Sequence, residues 1–124
     1  MSNMSLLKNM TAGAAINAFT IVKFSAAETV IAATANTDLI LGVTTDVAPA
    51  SGERTDVCLE GIAFVTAGAA VPLGTLVTTD ASGRAIAAAP GAGVNCRVLG
   101  IAIDAAAALG DVIRVFLSPC SMQG

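Results

Sequence analysis

Residues 99–117 read Leu99-Gly100-Ile101-Ala102-Ile103-Asp104-Ala105-Ala106-Ala107-Ala108-Leu109-Gly110-Asp111-Val112-Ile113-Arg114-Val115-Phe116-Leu117. Two apolar runs flank a small-residue stretch bounded by Asp104 and by Gly110-Asp111. In the second run Ile113, Val115 and Leu117 share one face and Val112, Arg114 and Phe116 the other, because successive strand side chains point to opposite sides. A strand open to water on one side alternates apolar with polar. Here the second face is apolar around a single Arg, which predicts burial on both sides. Its cover is either a neighbouring subunit or a second sheet of the same chain. Aromatic residues and Arg are enriched at subunit contacts, so Val112, Arg114 and Phe116 are the candidate subunit interface.

The same phrase occurs 58 residues earlier. Leu41-Gly42-Val43 falls on Leu99-Gly100-Ile101, Asp46 on Asp104, Ala48 on Ala106, Ala50 on Ala108 and Gly52 on Gly110. Val57 then meets Val115 and Leu59 meets Leu117, so that eight of nineteen positions are identical. Each stretch reads as strand, Asp, small-residue turn, Gly-acid, strand. Ala- and Gly-rich sequence also matches itself by chance. If the echo is a repeat, it predicts two similar ββ units related by a pseudo-twofold, closing a small barrel.

Outward from these stretches the chain continues as short apolar segments about ten residues apart, the spacing of a barrel or sandwich. The predicted strands are Phe19–Phe24, Thr29–Ala33, Leu39–Thr45, Thr55–Leu59, Ile62–Ala67, Thr75–Thr79, Arg84–Ala88, Arg97–Ile103 and Val112–Leu117. Asp80-Ala81-Ser82-Gly83, Pro49-Ala50-Ser51-Gly52 and Pro90-Gly91-Ala92-Gly93 carry turn and loop chemistry. Only Ala105–Leu109 has helical propensity, and five residues make a marginal helix. Residues 1–17 lack a sustained period and read as an extended arm before a β-rich domain over 18–124. The fold class is therefore all-β: a small barrel or sandwich-like domain with an N-terminal arm and at most one short helix.

The 124 residues fit one domain. The hydrophobic share is 55%, yet the chain holds four Phe and no Trp or Tyr. Small side chains bury little area each, which predicts a thin core and association with further copies. The net charge is −3, and the six basic residues (Lys8, Lys23, Arg54, Arg84, Arg97, Arg114) are scattered. Phosphate binding needs them clustered, so no nucleic-acid partner is predicted. The stretch between Lys8 and Ser25 is too polar for a signal peptide's apolar core. The charge-free run 61–79 contains Pro72 and repeated Gly and Thr, unlike a membrane helix.

Nothing in the residues assembles a catalytic set. The chain has no His, which removes the commonest general base. Lys8 and Lys23 have no Ser or Cys at a motif spacing. Asp104 with Asp111, or Asp46 with Asp56, are the available carboxylate pairs, and acids at such positions are chiefly turn formers. Gly91-Ala92-Gly93 lacks the spacing of a dinucleotide loop. Cys58, Cys96 and Cys120 have neither zinc-site spacing nor a partner His, and an odd count does not suit a disulfide framework. They read as free thiols, with no metal and no cofactor.

Several segments in order resemble the capsid cement (head-decoration) proteins of tailed bacteriophages. They are Leu41-Gly42-Val43, Gly52-Glu53, Val57-x-Leu59-Glu60-Gly61-Ile62-Ala63, Val65-x-Ala67-Gly68-Ala69-Ala70-Val71, Val77-Thr78-Thr79-Asp80-Ala81-Ser82-Gly83-Arg84-Ala85, Leu99-Gly100-Ile101-Ala102 and Gly110-Asp111-Val112-Ile113-Arg114-Val115. Their order and spacing match over roughly two thirds of the chain, from about Asp38 on. The resemblance implies a small β-rich virion protein, usually a homotrimer, made in the host cytoplasm. It implies placement on the outer surface of the expanded capsid at three-fold and quasi-three-fold positions, bound to the major capsid protein, without enzymatic activity or cofactor. On that reading the N-terminal arm grips the capsid by strand addition, with Leu6, Leu7, Met10 and Ile16 as apolar anchors. A tail or baseplate β module, or a small-ligand-binding barrel, would share much of this composition.

Overall fold

The alternation along 112–117 is the strand face pattern of the protein: Ile113, Val115 and Leu117 are buried, while Val112 and Phe116 are exposed. The computed structural model describes residues 4–90 and 92–123. Residues 1–3 of the expected arm and Gly91 of the expected 90–93 loop lie outside the described residues. The protein is all-β. Among the described residues there are nine strands: β1 (Met4–Ala12), β2 (Ile21–Ala26), β3 (Thr29–Ala32), β4 (Ile40–Thr44), β5 (Arg54–Thr66), β6 (Leu76–Thr79), β7 (Ala85–Ala87), β8 (Asn95–Ala102) and β9 (Val112–Gln123).

Three local expectations change. The predicted strands 55–59 and 62–67 are one strand, β5, which continues through Gly61 in a left-handed conformation (φ 94°). Residues 105–109 form no helix: Ala106 bridges to Val71, and the Asp111 carboxylate accepts from the backbone N–H of Ala107 and Ala108 at 2.9 and 3.2 Å. Residues 4–12, expected as part of an unpatterned arm, are β1, paired antiparallel with β5 from Met4↔Gly61 to Thr11↔Arg54. A strand whose inward positions carry Met and Ala, and whose outward ones carry Asn and Thr, shows little hydropathy contrast, although its backbone is fully laddered.

The strands run in the order β1-β3-β2-β4-β5-β9-β8-β6-β7, and β1 also pairs with β5. That extra pairing closes β1, β3, β2, β4 and the first half of β5 into a five-stranded barrel. The second half of β5 continues through β9, β8, β6 and β7. Ala85 then returns to Ala67 by a parallel bridge, with Gly68 N–H donating to Ala85 C=O at 2.8 Å. A second five-stranded ring results, and β5 is shared between the two.

The halves share their register. Val22↔Ala32 in β2–β3 becomes Val77↔Ala87 in β6–β7, 55 residues on. Ile21↔Val43 becomes Leu76↔Ile101. Val43↔Cys58 and Thr44↔Val57 become Ile101↔Phe116 and Ala102↔Val115, 58 residues on. Three more residues between Ala87 and Val98 than between the equivalent Ala32 and Ile40 account for the change of offset. The 58-residue echo is therefore the visible part of a longer structural repeat among the described strands.

Each barrel has its own interior. Met10, Ala12, Ile16, Val22, Val30 and Val57 fill the first, with Leu41 and Leu59 packed against them. Their counterparts Val65, Ala67, Val71, Val77, Ala85, Val115, Leu99 and Leu117 are all buried in the second. Side chains this size suit narrow five-stranded rings. The accessible surface, 5824 Å², matches the roughly 6,100 Å² of an ordinary monomer of this mass. The thin core read from composition is thus two small full ones.

Candidate protein-binding surfaces

The outer face of β9 carries the predicted interface residues together. Val112 and Phe116 are each 47% exposed, and Arg114 lies between them on the same side. The guanidinium is not free. Arg114 Nε and Nη2 donate to the Asp104 carboxylate at 2.8 and 2.9 Å, and the Arg114 backbone N–H donates to it at 3.0 Å. These bonds from Arg114 hold the Asp104 carboxyl down to about 2. The charge within the face is therefore paired inside the chain.

Sheet order extends this face beyond β9. Phe116 stands opposite Ile62 of β5 and Ile101 of β8, and Ile101 stands opposite Leu76 of β6. Partners in an antiparallel pair project to the same side. Leu76, Ile101, Phe116 and Ile62 thus form an apolar row across four strands. Beside it Phe64, opposite Arg114, packs its ring edge-on against Phe19 at 6.0 Å. Ile62, Leu76 and Ile101 are missing from the sequence reading because alternation assigns faces and not neighbours. The echo held the one signal, since it aligns Ile101 with Val43.

The four N-terminal candidates separate into two pairs. Leu6 and Leu7 are 46% and 43% exposed. A register shift between them, Leu6↔Glu60 then Leu7↔Cys58, lets neighbouring side chains both stay outside. Met10 and Ile16 are 4% and 2% exposed and belong to the first barrel's interior. They are core residues and not free anchors: Met10 lies on barrel strand β1, and Ile16, beyond it, donates its N–H to the Pro49 carbonyl at 3.0 Å.

Three of the four acids considered as pairs serve local structure. Asp104 holds Arg114, Asp111 caps its turn, and Asp56 accepts from Asn9 Nδ2 at 3.2 Å. Cys58 and Cys96 are buried free thiols whose burial pushes their pKa up, and Cys120 is exposed. A cleft of about 190 Å³ lies between Leu39, Ile40, Arg97, Val98 and the segment Pro119–Ser121. Ligand pockets ordinarily span roughly 300–1,000 Å³.

The described residues thus form two paired β-rings, each with its own buried cluster and the second with an exposed apolar row. The family model described as phage cement protein matches residues 3–117. The chain belongs to the phage cement protein family. This cement protein is similar in fold to the head fiber gp8.5 N base of bacteriophage phi29, whose crystal structure superposes with a TM-score of 0.69 at 20% identity, covering 91% of this chain and 93% of that one. No curated protein matches the sequence. The family makes the cement protein a structural, head-associated protein of a phage.

Proposed function

We propose that this cement protein binds the outer surface of the expanded capsid as a homotrimer, contacts the major capsid protein, and stabilises the shell against the pressure of packaged DNA without catalysis or a cofactor. The family match over residues 3–117 carries this reading. A ligand that binds only the expanded lattice stabilises that state by mass action. Several copies held together bring several weak lattice contacts to bear at once.

The grip is assigned to the exposed start of β1, Leu6 and Leu7, with the residues before them. The subunit seam is assigned to the face of Val112, Arg114 and Phe116. Removing residues 2–15 would take a strand from the first barrel, so point substitutions are the right probe. Purified protein is mixed with unexpanded and with expanded heads lacking it, and pelleted. Wild type is expected to pellet with expanded heads alone. Leu6→Asp/Leu7→Asp, folded by circular dichroism, is expected to stay in the supernatant. Full binding by that variant removes the grip, and equal binding of wild type to both kinds of head removes the function. The filled barrels favour this reading over a small-ligand carrier, and the family match favours it over a tail or baseplate module.

A further inference from the structure

We propose that copies of this chain join head to tail, the row Leu76–Ile101–Phe116–Ile62 of one copy receiving the open end of the next copy's first barrel. This deepens the reading above and rests on its premise that copies associate. The argument is the duplication. The counterparts of the row in the first barrel are Ile21, Val43, Cys58 and Leu7, by the register pairs Ile21↔Val43 and Val43↔Cys58. Ile21, Val43 and Cys58 are fully buried on the outer face of the first barrel. They belong not to that barrel's own interior cluster but to the cluster of the second barrel, with Leu99 and Leu117. Ile21 N–H also donates to Gly83 C=O at 2.8 Å, in the β6–β7 turn. Within the chain, then, three of the four residues of an outer row of one barrel are covered by the next barrel, while Leu7 at its end stays 43% exposed.

Each half of that joint occurs once more without a partner. On the second barrel, Ile101 is 36% and Phe116 47% exposed. On the first, Leu41 and Leu59 stand where Leu99 and Leu117 do, yet are only partly buried. A second copy supplies the missing complement to both. The charges nearby are already paired: Arg114 with Asp104 at 2.8 Å, and Lys8, in the place of Ala63, with Glu28 at 3.3 Å. Glu28 occupies the place of Gly83, where an added Cβ would press on Thr20 and the Ile21 carbonyl. The partner's hairpin therefore sits further out than its counterpart, and the joint between copies is looser than the one within the chain. Heterologous contacts of this kind close into rings when the rotation permits.

The test uses free protein, without heads. A row variant, Ile101→Asp/Phe116→Asp, and an end variant, Leu59→Asp, are weighed by sedimentation alone and mixed. Each alone is expected to be monomeric, with association weakened at least about tenfold. The mixture is expected to give a one-to-one pair and nothing larger, because one intact row meets one intact end. An end variant that assembles like wild type, or wild type that stays monomeric at every concentration, overturns the proposal. Should Leu59→Asp fail to fold, hydrogen exchange of wild type on dilution decides: peptides holding Leu41, Leu59, Ile101 and Phe116 lose protection together, or the joint is elsewhere. Row variants of unchanged mass that no longer bind heads would give the row to the capsid and also overturn it. Failure of head binding with the mixture result intact would leave the joint standing and remove only the function.

Discussion

Gly42 and Gly100 show at one position what the duplication conserves. A Cβ on Gly42 would overlap the Cys58 carbonyl oxygen, and one on Gly100 the Phe116 carbonyl oxygen, the same atom of the same paired strand in each half. Both glycines fall within the 58-residue echo, and the contact supplies their reason. Gly42→Ala and Gly100→Ala are each expected to cost about 1–3 kcal/mol by forcing the strands apart, read as a lower urea midpoint; an unchanged midpoint for either contradicts the shared register. Asp104 makes a second prediction at this scale. Folding lowers its pKa from 3.8 to about 2 through Arg114. The sign follows: the ionised carboxylate stabilises the fold above its unfolded value, and that contribution fades as pH falls from 3.8 toward 2. Asp104→Asn is expected to lower thermal stability near neutrality, where the ion pair contributes, and to flatten the further loss as pH falls from 3.8 toward 2. A slope equal to wild type would separate Asp104 from Arg114.

At the scale of the element, β1 and β9 show which strands a sequence discloses. In β9 the inward Ile113, Val115 and Leu117 are large and apolar while Arg114 marks the outward set, so the two faces are legible; the outward Val112 and Phe116 are exposed in the chain, where the sequence predicts cover. In β1 the outward Asn9 and Thr11 and the inward Met10 and Ala12 contrast weakly, and a bulge at Leu6–Leu7 breaks the period. Strand β5 reads as two in the sequence for a related reason: a glycine between two apolar runs reads as a turn, whereas here the strand continues through Gly61 and serves both barrels. The outcome for β1 is testable. Met10→Ala is expected to cost about 2–5 kcal/mol as a core truncation. Leu6→Asp and Leu7→Asp, at exposed positions, are expected to change stability by no more than about 0.5 kcal/mol. Denaturant unfolding of the three variants checks this, and a stable Met10→Ala would restore β1 to the role of a free arm.

At the scale of the molecule, fold class was legible because strand length, turn chemistry and spacing are local. The twin-barrel architecture was not, because it depends on a β1–β5 closure that joins distant residues and on a change of offset from 55 to 58 that hides half the repeat. The apolar row was likewise hidden, since its members come from four strands. The internal repeat gives each chain two similar modules and one joint between them. The central claim is mechanical: a cement protein on the shell resists the outward push of DNA. Release of DNA from full heads on heating, with and without the protein restored to saturation, tests it most directly. Restored heads are expected to hold their DNA to a higher temperature than bare ones, and equal release at full occupancy would contradict the account.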